Sequence, residues 1–344
     1  MALRLIQAGV GGMGGTWVSA LKGRTDVEVV ALVDIADAPL EKAGEELNVP
    51  AARQFKDLTQ AVKAVPADAV LTVTPPAVHL PHAKIAFDHG LHLLTEKPIA
   101  ATLEEAKEMN RLAEKAGRIL MVAQNYRYSA QMQTLARLVR EKPVGPLGHG
   151  HIDFYIPGDF RGSFRQTMPY PLLIDMAIHH IDLIRAVTGK DITHVTAHTF
   201  RPQWSWYEHH PGLKMLMLLD GDIPFSYSGD WSARGRNTSW NGAWRLQCEH
   251  GSLELLHDNT ILQATNTFWD NDRTRQPIAP DTNPDGTAPE AAQSALLTRF
   301  VEACRTGHAP ETSGRDNLKS FAAVTAGVRS VQEGRTIDVR ELLS

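Results

Sequence analysis

The first third of the chain alternates short apolar runs with stretches of helical period. Residues 3–8, 27–33, 69–73, 91–94 and 119–122 are apolar at nearly every position, as expected of strands buried on both faces. Between them the spacing predicts helices at about 12–22, 40–47, 79–89 and 103–116. The last is the best marked. Thr102 can cap it, Glu105 three residues on completes a capping box, and Gly117 can end it. Strands alternating with helices at this spacing predict a doubly wound parallel sheet.

The pattern changes after about Gln124. A helical stretch at 129–140 gives way to Lys142-Pro-Val-Gly-Pro-Leu-Gly. Strand-like runs follow at 149–156, 192–200, 213–219, 225–231, 244–248 and 252–256. A single helix, 172–187, interrupts them and is closed by Gly189. Strands joined by turns predict an α+β domain with a large, open, mostly antiparallel sheet. Residues 271–289, rich in Asp, Pro, Asn and Thr, read as a surface loop. Helices at 291–306 and 316–333 end the chain, the second with a weaker capping box from Ser313 and Asp316. The expected organisation is an α/β domain over 1–123 and an α+β domain over 124–344, whose last helices can pack back on the first. A length of 344 residues suits two domains.

Composition narrows the class. At 43% hydrophobic and 22% charged residues, the chain is neither disordered nor fibrous. A formal charge of -4 without a Lys/Arg block argues against nucleic acid or an anionic membrane surface as partner. Two cysteines are too few for a disulfide framework or a thiolate metal site. No run approaches the roughly 18 apolar residues of a membrane span, and the glycine cluster at Gly9 leaves no room for a signal sequence. A cytoplasmic location is expected.

The sharpest motif is Gly9-Val-Gly11-Gly12-Met13-Gly14, directly after a predicted strand and opening a helix. Gly9 permits the tight turn, Gly11 lets backbone approach a pyrophosphate, and Gly14 allows close helix–strand packing. A glycine cluster alone is weak evidence. The second element is Asp34, which ends the next strand twenty residues later, where a carboxylate can accept from ribose hydroxyls. That carboxylate would repel a 2′-phosphate, and Ile35-Ala36-Asp37 offers no cation to offset it. NAD is therefore expected over NADP, with Arg53 the residue that could reverse this.

Further along stand Thr72-Val-Thr74-Pro75-Pro76, with His79 and His82 downstream, and Thr95-Glu96-Lys97-Pro98. Gln124-Asn125-Tyr-Arg127, Asp175-Met-Ala-Ile-His179-His180-Ile-Asp182, Thr312-Ser-Gly-Arg and Ser330-Val-Gln-Glu-Gly334-Arg follow in order. With the glycine motif, these make the chain resemble the Gfo/Idh/MocA oxidoreductases nearly end to end. The resemblance implies a Rossmann domain and an open-sheet domain meeting at a cleft, with a cis bond plausible before Pro98. It implies that Lys97, Asp175 and His179 serve a nicotinamide-dependent alcohol oxidation. It also brings Thr74, Pro75, His79, Glu96, Lys97 and Asn125 to the cofactor, beside Gly9 to Gly14 with Met13, and Asp34 with Ile35.

The residue types suit that chemistry. If 172–187 is one α-helix, Asp175 and His179 share a face one turn apart. An imidazole titrates near neutral pH and suits a proton shuttle. Lys97 can donate to the reacting oxygen, and Asp175 can bind a hydroxyl or orient the imidazole. His180 is the rival imidazole on another face, and Asp182 reads most simply as a solvated or capping carboxylate. His179, His180 and Asp182 could also suggest a metal site. Their spacing aligns only His179 with Asp182, and hydride transfer needs no metal, so none is expected.

Substrate contacts are softer expectations: Arg127, Arg161, Arg165, Tyr170, Asp175, Trp231 and Arg236 mix rings with polar forks, which suits a sugar or cyclitol. Trp204, Trp206, Tyr207, His209 and His210 could equally line a subunit interface, and an open sheet face suggests a homodimer or homotetramer. The expected activity is hydride transfer between a secondary alcohol of a small carbohydrate or cyclitol and NAD. The alternatives are a redox-neutral enzyme retaining NAD, as in glycoside cleavage, and a non-catalytic dinucleotide sensor.

Overall fold

Wherever the apolar runs are continuous, the chain forms strands buried on both faces. The computed structural model describes residues 1–265 and 274–344. The chain divides into two compact units, Met1–Asn125 with Glu290–Leu318, and Tyr126–Pro289 with Lys319–Ser344.

The first unit runs β1 (Leu3–Ala8), α1 (Met13–Leu21), β2 (Val27–Val33), α2 (Asp37–Leu47), β3 (Gln54–Phe55), α3 (Leu58–Ala64), β4 (Ala69–Thr72), α4 (His79–Asp88), β5 (His92–Thr95), α5 (Leu103–Ala116) and β6 (Leu120–Val122). Its six strands lie in the order β3-β2-β1-β4-β5-β6 and every pairing is parallel. That order places a crossover switch between β1 and β4, where such sheets bind ligands outside the carboxyl ends of their strands. The core beneath the glycine turn is Val10, Val18, Leu32, Leu40, Ala43 and Val49. Burying each larger side chain of this kind contributes about 2 kcal/mol. The α5 capping box is present in both directions, and Gly117 ends the helix with a φ of 61°.

The second unit contains α6 (Ala130–Glu141), β7 (Leu147–Tyr155), α7 (Phe164–Thr167), α8 (Ala177–Thr188), β8 (Ile192–Phe200), β9 (Gly212–Leu219), β10 (Ile223–Asp230), β11 (Ala243–Cys248), β12 (Gly251–Leu255), β13 (Ile261–Thr265) and β14 (Thr274–Ile278). After these come α9 (Ala292–Thr306) of the first unit, α10 (Gly314–Glu333), β15 (Ile337–Asp338) and α11 (Val339–Leu343). The division between units falls within α10, after Leu318. Among the described residues nine strands form one sheet, β14-β13-β12-β11-β7-β10-β9-β8-β15, antiparallel except where β7 meets β10. On β9, Leu213, Met215, Met217 and Leu219 are buried while Lys214 and Leu216 face outward, so one face of the sheet is open. The other face is covered by helices, and α8 is buried at almost every position.

Three sequence expectations change. The segment 271–289 is not a loop throughout, because Thr274–Ile278 pairs with β13 as an edge strand; residues 271–273 lie outside the described residues. Pro277 on that strand is tolerated at a sheet edge, where one ladder donor is not needed. β3 and α3 were not anticipated, although Asp57 caps α3 by accepting from the Gln60 N–H at 3.2 Å. The expected single helix over 172–187 is two segments: Leu172–Met176 is wound as a π-turn, closed by the Ala177 N–H donating to the Leu172 carbonyl. Among the described residues no helix is long and apolar enough to cross a membrane.

Candidate active site

In the first unit the turn after β1 is shaped by glycine. Gly9 has a φ of 87°, and a Cβ there would lie 2.2 Å from the Val73 carbonyl oxygen. A Cβ on Gly14 would lie 2.4 Å from the Gly9 carbonyl oxygen. Gly11 and Gly12 are different: the nearest atom to a Cβ on Gly11 is 3.6 Å away, and Gly12 has none within 4 Å. Their side of the turn is open. Gln7, fully buried, donates through Nε2 to the Gly9 and Gly14 carbonyls at 3.0 Å each and braces the turn from below. Sequence reasoning missed it, although a lone amide within Leu-Arg-Leu-Ile-Gln-Ala was a visible signal.

The N-terminus of α1 has no side-chain cap, so its first turn can present backbone donors to an anion. Asp34 sits beside it. Its Oδ2 accepts from the Val10 and Gly11 N–H groups at 2.9 and 3.2 Å, and its Oδ1 accepts from Ala36. Met13 and Ile35 are exposed apolar side chains flanking the turn. An open backbone cradle, an uncapped helix end and a carboxylate held by the loop fit the pyrophosphate and ribose of a dinucleotide. Near Ile35 the structure also brings a cation that the sequence did not suggest. Lys56 donates to the Ile35 carbonyl at 3.4 Å and pairs with Asp37 at 2.5 Å.

The ends of β4 and β5 lie beside this turn in the same sheet. The Thr72 and Thr74 hydroxyls are 3.0 Å apart, and His82 Nδ1 lies 2.8 Å from Thr72 Oγ1. Burial, helped by His79, pushes the His82 imidazole down to about 4. The Lys97–Pro98 bond is cis. Glu96 accepts from Trp17 Nε1 at 2.7 Å and from the Lys97 N–H at 3.1 Å, tying the end of β5 to α1. Half-buried Lys97 thus stands at the carboxyl end of a strand. His79, expected at the cofactor, is fully buried. Its Nδ1 lies 3.1 Å from the Pro98 and Ile99 carbonyls and its Nε2 2.9 Å from that of Thr74. It links the Thr74 and Pro98 turns from beneath, and burial holds its proton affinity below the ordinary value. Pro75 is exposed, and Thr74 and Asn125 are half-buried.

The second unit carries the other set. His179, 5% exposed, stacks under Tyr126 with ring centroids 4.4 Å apart and 27° between planes. Burial first, and then Asp175, push the Tyr126 phenol up to about 12. Asp175 falls within the π-turn, so it does not continue the helical face of His179 as an unbroken α-helix would require. Its Oδ2 accepts from Arg165 Nε at 2.6 Å. Tyr126 was not singled out from the sequence, because nothing local distinguishes one ring in Asn-Tyr-Arg-Tyr.

His180 is a core residue. It is fully buried, with Nδ1 3.0 Å from the Tyr227 hydroxyl and Nε2 3.0 Å from the Trp240 carbonyl, and burial pushes it down to about 4. Asp182, read from sequence as solvated or capping, is 1% exposed. It accepts from Arg127 Nε and Nη2 at 2.6 Å each and from Ser320 Oγ at 2.7 Å. Arg127, expected at the substrate, therefore spends its fork bracing α8. Trp231 is likewise buried, at 1% exposed, parallel to Tyr207 and edge-on to Phe160. Arg161 is exposed and paired with Asp159, Arg236 is exposed beside Asp258, and Tyr170 takes a φ of 48° just before the π-turn. Among the described residues no group of three or more His, Cys, Asp or Glu side chains could hold a metal ion.

Comparison with known proteins agrees with this architecture. Residues 3–124 match the family model for the oxidoreductase family with NAD-binding Rossmann fold, and residues 132–254 match the GFO/IDH/MocA C-terminal domain. The chain is 28% identical to a D-apiose dehydrogenase of Paraburkholderia graminis, over 92% of this chain and 84% of that protein. It is 29% identical to an inositol 2-dehydrogenase of an Arthrobacter species, over 56% of each. Its fold superimposes with a TM-score of 0.88 on an oxidoreductase from Agrobacterium radiobacter in complex with NAD+, L-tartaric acid and magnesium, at 21% identity, covering 99% of this chain and 100% of that one. The glycine turn, the parallel six-stranded sheet and the nine-stranded sheet thus fall within one lineage, and the chain belongs to the GFO/IDH/MocA family of NAD-binding oxidoreductases.

Proposed function

We propose that the protein is an NAD-dependent dehydrogenase that oxidises a secondary alcohol of a sugar, cyclitol or sugar derivative. The observation that carries this reading lies in the first unit. The dinucleotide turn after β1 and Lys97 at the end of β5 lie along one edge of the same parallel sheet, two strand spacings apart, or about 10 Å. A bound nicotinamide dinucleotide supplies the hydride acceptor. The Gly9–Gly14 turn and the α1 N-terminus hold its pyrophosphate, Asp34 its adenosine ribose, and Thr74, Pro75 and Asn125 line the strand ends beyond. The sugar- and cyclitol-dehydrogenase relatives support the substrate class.

The protein's side chains do the rest. Lys97 donates a hydrogen bond to the alcohol oxygen and steadies the negative charge that grows there as the C–H bond breaks. His179 accepts the hydroxyl proton, and its stack on Tyr126 fixes the ring plane. Asp175 accepts from a neighbouring substrate hydroxyl and so sets which carbon faces the acceptor. Asp34 favours NAD over NADP, because a carboxylate anchored by two loop N–H groups cannot turn away from a 2′-phosphate. The open sheet face, with exposed Leu216 among polar groups, supports a homodimer or homotetramer.

Lys97→Met and His179→Asn test the roles. Each lowers turnover by about a hundredfold or more while NAD affinity stays within a few-fold of wild type. Wild-type turnover in either variant removes that residue from the mechanism.

A further inference from the structure

The Arg165 side chain crosses two exposed or half-exposed rings on its way to the π-turn. Its guanidinium carbon lies 5.0 Å from the Phe160 ring centroid and 4.7 Å from that of Phe164, a ring 64% exposed. Its Nε donates to Asp175 Oδ2 at 2.6 Å, with the two side chains 27% and 12% exposed. The short helix that carries it is pinned at its start. Ser163 Oγ accepts from the Arg165 N–H at 3.3 Å and donates to the Phe160 carbonyl at 2.7 Å, and the Gly162 N–H donates to Gln166 at 2.8 Å. A planar cation resting on two rings is pre-organised, so little freedom is lost in holding the carboxylate.

The surroundings of Asp175 need such a cation. From the turn before α6 comes Tyr126, from α8 comes His179 four residues on, and from the segment before β9 comes Tyr207, whose phenol feels Arg165, Asp175, Asp159 and Asp230 together. Asp159 is paired with Arg161 and Asp230 is held by Ser232. Among these rings and carboxylates, Arg165 meets Asp175 through its Nε.

We propose that Arg165 is the positioning residue of Asp175, keeping that carboxylate charged and in one rotamer so that it can accept from a substrate hydroxyl. The proposal rests on the dehydrogenase reading for its consequence in catalysis, but the pairing is measurable without turnover. It also reassigns Arg165. In this reading its Nε acts on the substrate through that carboxylate.

Arg165→Met keeps the length of the stem and removes the charge, and Arg165→Lys restores the charge without the fork. With wild-type turnover in hand, Arg165→Met lowers kcat/KM for a neutral polyol about tenfold or more. It also raises the titration midpoint of the Asp175 carboxyl by about one pH unit, since a paired cation depresses a carboxylate by about that much. Arg165→Lys returns the midpoint towards its wild-type position at an intermediate rate. NAD affinity changes little. An unmoved midpoint, or a loss of rate confined to acidic substrates, overturns the proposal. Carboxyl-carbon NMR of labelled protein, with Asp175 assigned through Asp175→Asn, provides the readout independent of activity. A higher titration midpoint for Asp175 in Arg165→Met sustains the pairing even if no alcohol is oxidised, and equal midpoints refute it even if one is.

Discussion

The glycine turn makes a prediction that two neighbouring residues can decide. Gly14 and Gly15 both lie in the first turn of α1, yet their surroundings differ sharply. A Cβ on Gly14 would sit 2.4 Å from the Gly9 carbonyl oxygen, whereas the nearest atom to one on Gly15 is the Val10 carbonyl oxygen at 3.9 Å. Real Cβ atoms essentially never come within 3.0 Å of such an atom. In Gly14→Ala the helix or the turn must therefore move by at least about 0.6 Å, and overpacking of this kind costs about 1–3 kcal/mol. If that strain falls on the geometry that binds pyrophosphate, NAD affinity drops about 5- to 150-fold. Gly15→Ala meets no such contact, and alanine is favoured over glycine within a helix by about 1 kcal/mol. Calorimetric titration with NAD, alongside thermal melting, reads both effects. The expected result is weakened binding in Gly14→Ala, with wild-type binding and an equal or higher melting temperature in Gly15→Ala. Wild-type NAD affinity in Gly14→Ala, or equal losses in both variants, would refute the close-packing argument.

Three further outcomes follow from the same geometry. Asp34→Ser removes the charge facing a 2′-phosphate while Lys56 remains nearby, so the ratio of NAD to NADP affinity narrows about tenfold, as roughly 1.4 kcal/mol of repulsion requires; an unchanged ratio in paired titrations would remove Asp34 from cofactor choice. Arg127→Ala leaves the buried Asp182 without its main partner and destabilises the fold by about 3–5 kcal/mol, read by chemical denaturation, with part recovered in Arg127→Ala/Asp182→Ala. His180 is held near 4 by burial against an ordinary value of 6.5, so the unfolded chain takes up its proton first. The stability it contributes is complete above about pH 6.5 and is lost as the pH falls towards about 4, by up to about 3 kcal/mol. His180→Gln keeps a donor for the Trp240 carbonyl without titrating, and the pH dependence of stability across that window becomes shallower. An equally steep dependence would place the titrating group elsewhere, with His82 the next to test.

Much of this molecule could be read from its sequence wherever one local signal sufficed. Continuous apolar runs gave β1, β2, β4, β5 and β6, and the Thr102–Glu105 box gave α5 to the residue, because burial and capping act within a few positions. Short elements escaped: two-residue β3 has too little pattern, and β14 carries charge and a proline because it is an edge. The π-turn at Leu172–Met176 escaped for a related reason. Its apolar spacing is that of an α-helix, and the difference lies in which carbonyl the Ala177 N–H finds.

At the site, Gly9, Gly14, Asp34 and Lys97 stand where strand ends dictate. What the sequence could not convey was which long side chains are already engaged. Arg127 and Arg165 look alike in composition, but one grips a buried carboxylate across 55 positions of chain and the other a carboxylate ten residues on. Gln7, Tyr126 and Lys56 act through contacts between separate elements, which no periodicity reports.

The central claim is that this chain moves hydride between an alcohol and bound NAD. The most direct measurement mixes the protein with NAD and a panel of aldoses, cyclitols and sugar acids, and follows the absorbance of the reduced nicotinamide. Reduction is expected with at least one neutral polyol, lost in Lys97→Met although NAD still binds. No reduction across the panel by protein that binds NAD tightly, or reduction undiminished in Lys97→Met, would contradict it.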